Sequence, residues 1–174
     1  MSLRLYHISE EPGIALFEPR PSPSAFDQIR GDVVFAVSGS LLHNYLLPRN
    51  CPRVTFYAGA QTTEGDKAAF LSSGSKYVVA VELSWREAIR DTPLYCYEFS
   101  TEGFELLDEN AGYYISYGSV RPVAVRAILH PLSALAERGV EAMFVSSLWP
   151  LAEAVQNSTL SFSLIRMSHA ERKS

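Results

Sequence analysis

Cysteine is scarce in this sequence: Cys51 and Cys96 are the only two, far apart and outside any Cys-x-x-Cys spacing. That excludes a disulfide framework and a cysteine-based zinc site, and it predicts two buried, reduced thiols of the kind found in cytoplasmic proteins. Long apolar runs are missing as well. No stretch approaches the roughly 18–20 apolar residues of a membrane-spanning helix, and the opening MSLRLYHISEEPG turns acidic before a secretory core can form. The expected setting is therefore cytoplasmic, without a membrane partner. A surplus of positive charge is also absent, since 15 Lys and Arg against 19 Asp and Glu leave a net charge of −4. Such a balance creates no field that gathers polyanions, so bulk nucleic-acid binding is not expected, while a local basic pocket stays compatible with a small phosphate. There is no glycine-rich phosphate loop, no GxSxG elbow and no HExxH. The four histidines show no metal-ligand spacing, which predicts no metal, and Ser38, Ser40 and Ser116 have no legible His–Asp partners for a serine hydrolase.

What is present reads as an ordinary folded chain. With 174 residues, 47% apolar and 20% charged, the composition matches soluble globular proteins and predicts one domain over residues 1–168, followed by a charged tail, 169–174, that frays. Apolar alternation and β-branched content predict strands at RLYHI, DVVFAVS, RVTFYAG, KYVVAVEL, PLYCYEFS, AMFVSSL and STLSFSLIRM, with GIALFEP as a further extended piece. GYYISYGSVRPVAVRAIL reads as two strands interrupted near Gly118 and Pro122. Helical spacing marks GDKAAFLSS, LSWREAIRD, HPLSALAERGV and PLAEAVQN. Ser84, three residues before Glu87, is a candidate capping box, and SLLHNYLL is a short helix with Ser38 or Ser40 as its N-cap. The loop PRPSPSA cannot lie inside a sheet, because each proline removes a backbone donor. The expectation is an α+β fold with a strand-rich core and short flanking helices.

Two segments carry the chemistry. LYHIS, Leu5–Ser9, and VFAVSGSLLHNY, Val34–Tyr45, are short apolar runs that each deliver a polar aromatic into turn-forming residues. In that order they resemble the first and second motifs of the ADP-ribosyltransferase fold, of the poly(ADP-ribose) polymerase type. The resemblance covers a small part of the chain. It implies NAD as substrate, or another nucleotide as ligand, with His7 holding a ribose hydroxyl, Ser9 adding a hydroxyl near the same sugar and Tyr45 stacking on the nicotinamide ring. Neutral imidazole both donates and accepts, which suits a diol, and a tyrosine face is a flat apolar wall for a heterocycle. Ile8 stands where the family has glycine after the histidine.

The third motif of such transferases carries a glutamate in a pattern like Glu-Tyr-Ile-x-Tyr. Here the matching segment is Tyr113-Tyr114-Ile115-Ser116-Tyr117, so Tyr113 occupies the catalytic position. A phenol, with an ordinary pKa of about 10, is neutral at pH 7 and supplies no charge to an oxocarbenium-like transition state. Asp108 and Glu109 lie just upstream and substitute only if their loop folds back. The resemblance thus implies either a mono-ADP-ribosyltransferase or a catalytically inactive nucleotide-binding or interaction module. Against both stands a simpler reading of the same residues, since a histidine between apolar strand neighbours and an inward helix tyrosine are common core components. Arg49 and Arg53, in PRNCPR, are candidate anion-binding residues because the guanidinium fork matches phosphate and carboxylate; equally, the prolines fix a turn and the arginines pair with acids. PRNCPR and the closing STLSFSLIRMSHA also resemble an uncharacterised bacterial protein family, which implies no activity.

Overall fold

In the computed structural model, which describes residues 2–71 and 73–173, ten strands and four α-helices are laid out along the chain. β1 is Leu5–Ser9, β2 Val34–Ser38, β3 Arg53–Tyr57, α1 Glu64–Phe70 and β4 Tyr77–Glu82. α2, Arg86–Asp91, leads to β5 at Leu94–Phe99, β6 at Glu105–Asp108, β7 at Tyr113–Ser116 and β8 at Ala124–Ile128. α3 is Pro131–Glu137, β9 Val140–Val145, α4 Trp149–Gln156 and β10 Ser161–Ile165. The architecture is α+β with a strand-rich core, and the chain divides into two compact units, each crossed twice. The first is the chain up to Leu42 together with Pro93–Ile128; the second is His43–Thr92 together with the chain from Leu129 onward.

The first unit is an antiparallel sheet in the order β6-β7-β2-β1-β5-β8. Alternation along a strand sends neighbouring side chains to opposite faces, and directly paired residues share a face. Leu5 pairs with Ser38 and with Phe99, and Val34 with Ser116. On that face Leu5, Val34, Ala36, Tyr97 and Phe99 form a core covered by Ile14, Phe17, Phe104 and Val120. GIALFEP, expected to be extended, forms no strand. Phe17 and Val120 exchange two backbone hydrogen bonds of 2.8 and 2.9 Å as an isolated bridge, and Pro19, Pro21 and Pro23 beyond it have no N–H with which to extend the pairing. The short edge strand β6, half of it exposed, carried no alternating pattern to announce it.

In the second unit the order is β10-β3-β4-β9, with β4 and β9 parallel. Val54, Phe56, Val78 and Ala80 pack against Leu148, Ala152 and Val155 around α4. SLLHNYLL forms a single 3-10 turn at Leu42–Tyr45, shorter than the expected helix. The reason is local: the carbonyl of Asn44 would need the N–H of residue 48, which is proline, and it accepts from the Arg53 guanidinium at 2.9 Å. Ser38 lies at the end of β2 and caps nothing; its hydroxyl meets that of Ser40 at 3.0 Å. Ser84 likewise lies inside a 3-10 turn, Leu83–Trp85, and α2 starts without a side-chain cap. Thr63 caps α1, accepting from the Asp66 N–H at 3.2 Å, and Gly139, at φ 69°, ends α3 in the left-handed region. The tail expected to fray is tied at Glu171, whose N–H donates to the buried Glu82 carboxylate at 2.9 Å and whose carbonyl accepts from the Trp149 indole at 2.6 Å. Among the described residues no helix is long and apolar enough to cross a membrane.

Candidate functional site

His7 is the central residue of β1, half-buried, with its ring edge-on to Phe17 at 5.0 Å and tilted against Phe99 at 6.5 Å. Its Nδ1 lies 3.1 Å from the Phe35 carbonyl. A carbonyl only accepts, so Nδ1 carries the hydrogen, and in the neutral ring Nε2 carries the lone pair. Ser9 is on the same face, two residues along, and its hydroxyl accepts from the Glu11 N–H at 3.0 Å, leaving its own O–H to donate elsewhere. The register adds Ser38, Tyr97, Tyr114 and Ser116 to that face. Most of that face is core: Tyr97, Ser38 and Ser116 are buried, the Tyr97 hydroxyl bonding Glu11 and Ile14, while His7, Ser9 and Tyr114 stay half-buried.

Tyr113 does not join it. Tyr113 pairs with Val37, which pairs with Tyr6, the neighbour of His7, so the period-two alternation puts Tyr113 on the opposite face of the sheet. There its ring meets Phe26 and Phe35, each at 6.2 Å. The strand carboxylates follow the same rule: Glu98 pairs with Tyr6, Glu105 with Ile115 and Asp108 with Tyr113, so all three lie away from His7. Asp108 is further committed to the β6–β7 turn, accepting from the N–H groups of Asn110 and Ala111 at 2.9 and 3.1 Å. The carbonyl of Glu109 accepts from Gly112 in the same turn.

The other expected site residues lie in the second unit. Tyr45 is half-buried at the end of its 3-10 turn, and Arg49 is exposed. Arg53, only 1% exposed, has a different role from the anion holder expected of it: Nε donates to the Cys51 carbonyl at 2.9 Å, Nη1 to Asn44 at 2.9 Å and Nη2 to Pro48 at 2.8 Å. Its fork braces the loop before β3 from inside. Burial pushes the Cys51 thiol up to about 11, against a smaller downward pull from Arg53. His43 lies in the same segment, its ring 4.6 Å from Tyr77; burial, helped by the charge of Arg138, lowers its pKa to about 4. Glu82, fully buried, accepts from the Leu148 N–H at 3.1 Å as well as from Glu171. The one sequence signal for that role was a carboxylate ending the apolar run KYVVAVEL.

Sequence reasoning missed a pocket of about 460 Å³ in the first unit, lined by Ser100, Glu102, Gly103, Ser116, Tyr117 and Arg121 among others. Val120 also lines it and is hydrogen-bonded to Phe17, the residue packed on His7. Nothing in the local pattern joins the 100–104 loop to residues 116–121. Among the described residues no group of three or more His, Cys, Asp or Glu is arranged to hold a metal ion.

Fold and site together describe an α+β protein with a half-buried histidine and serine on one face of its first sheet and a pocket of mixed polar and apolar lining in the same unit. Its residues 6–170 match the model of a family of unknown function, DUF6886, and the chain belongs to that family. No curated protein and no solved structure matches it.

Proposed function

We propose that this chain is a nucleotide-binding protein of the ADP-ribosyltransferase-like kind that holds NAD or a related nucleotide without transferring ADP-ribose. The observation that carries the reading is the strand register: His7 shares its face with Ser9, Ser38 and Ser116, while Tyr113, Glu98, Glu105 and Asp108 all lie on the other. A ribose diol needs a donor and an acceptor held at fixed positions, and an imidazole anchored through Nδ1 with a serine hydroxyl beside it meets that need. Cleaving the nicotinamide–ribose bond needs negative charge on the same side, and the strands bearing His7 and its neighbours supply none there. Cytoplasmic residence and a small-molecule partner, with no bulk nucleic acid, go with this reading.

Calorimetric titration with NAD, ADP-ribose and nicotinamide, paired with an assay for released nicotinamide, tests it. Saturable heat from NAD or ADP-ribose, lost in His7→Ala, with no nicotinamide released, is the expected result. Release of nicotinamide would replace the reading by a mono-ADP-ribosyltransferase, and absence of heat from the wild type at millimolar ligand would remove nucleotide binding altogether.

A further inference from the structure

The open pocket between the 100–104 loop and residues 116–121, about 460 Å³, offers three different chemistries. Arg121 is exposed and forms no ion pair among the described residues; its one hydrogen bond is a long one, 3.4 Å, to the Ala15 carbonyl. Ser100 and Ser119 line the same space, with Gly103 leaving the backbone bare beside them, while the Ser116 hydroxyl is engaged with the carbonyl and N–H of Gly118 at 3.2 and 3.3 Å. A guanidinium among hydroxyls and open backbone is suited to an anion with several acceptor oxygens. Glu102 lines the pocket too, yet no ion pair joins it to Arg121. Its carboxylate accepts hydrogen bonds and repels phosphate, so it suits a diol set apart from the anion, the role acidic residues play toward ribose hydroxyls in dinucleotide sites. Tyr117, 43% exposed and lining the pocket, presents an aromatic ring of the kind on which bases stack.

We infer that this pocket binds the nucleoside monophosphate portion of a nucleotide, with phosphate on Arg121, Ser100 and Ser119, ribose on Glu102 and the base against Tyr117. This rests on the nucleotide-binding reading and extends it, because Ser100, Glu102 and Arg121 lie outside the motif segments that suggested that reading. Phe17, packed on His7 and bridged to Val120, is the element the two groups of residues share.

The test is calorimetry of the full chain with AMP, adenosine, inorganic phosphate and NAD, on wild type, Arg121→Gln, Glu102→Gln and His7→Ala. All the altered pocket residues are exposed, so folding is preserved. Wild type is expected to bind AMP about tenfold more tightly than adenosine, the size of one charge-assisted contact of about 1.4 kcal/mol. Arg121→Gln erases that preference, and Glu102→Gln weakens adenosine and AMP together while leaving phosphate unchanged. AMP binding that is indifferent to both substitutions overturns the inference. NAD binding that responds to His7→Ala but not to Arg121→Gln overturns it while sparing the broader reading; silence with every ligand removes both.

Discussion

Arg53 in the second unit and Arg121 in the first are the same residue type in opposite situations. Arg53 is enclosed, its fork shared among four backbone carbonyls; Arg121 stands at a pocket with one long bond to Ala15. The contrast runs through both units. In the second, buried Glu82 likewise serves backbone N–H groups, and His43 is kept neutral by burial. In the first, His7 and Ser9 are only half-buried and Arg121 is exposed at the pocket. Enclosure converts a charged side chain into a structural brace, because desolvation forces it to satisfy every donor within the protein. Binding chemistry needs groups that still have solvent to exchange for a ligand.

The comparison breaks most visibly at Arg53. Arg53→Met takes the guanidinium from the buried Asn44 and Cys51 carbonyls, and leaves Pro48 only the Cys51 N–H, and should cost about 3–5 kcal/mol, whereas Arg121→Gln should change stability by less than about 0.5 kcal/mol. Urea midpoints for the two variants measure this, and equal costs would erase the distinction between brace and ligand-binding arginine.

The next effect is acid sensitivity from His43. Above pH 6.5 the imidazole is neutral whether the chain is folded or not, and its contribution is intact. Between 6.5 and about 4 the unfolded chain takes a proton that the folded one refuses, so stability falls with pH. The loss is complete below about 4 and amounts to roughly 3 kcal/mol, from 1.36 kcal/mol per pKa unit. His43→Phe keeps a ring against Tyr77 and should flatten that limb of the stability profile. An unchanged acid limb would move the effect to another group.

In the first unit smaller energies accompany larger functional effects. His7→Phe preserves the aromatic contact with Phe17 but removes the donor to the Phe35 carbonyl, at about 1 kcal/mol by thermal or urea unfolding, and should lose nucleotide binding. Full retention of binding would show that packing is the whole of its role. Tyr113→Phe should be the mildest, within about 1 kcal/mol in stability and without effect on NAD or AMP titrations, since the phenol lies behind the sheet. Weakened binding in that variant would contradict the register argument.

Most strands were legible from sequence, because β-branched and aromatic residues with apolar alternation announce themselves over five or six positions, as in Tyr77–Glu82 and Leu94–Phe99. Helix ends were less so. Pro131 and Gly139 marked α3 through local backbone chemistry, whereas the turn at Leu42–Tyr45 stopped where Pro48 lacked an N–H and a distant arginine took its place. Of the site, the candidates His7 and Ser9 could be named from their motif, but the role of Arg53 could not, since exposure is not a property of the residue.

By itself the sequence determined local preferences: a strand-rich α+β chain, two thiols without a disulfide framework, and polar aromatics at the ends of short apolar runs. Tertiary structure alone decided which side of the first sheet Tyr113 occupies, which arginine is enclosed, and that loop 100–104 meets residues 116–121 to form a pocket. The physical reason is that strand register, burial and pocket formation depend on partners dozens of residues away. A shift of one residue in pairing would have moved Tyr113 to the face of His7 without altering a single letter of either motif.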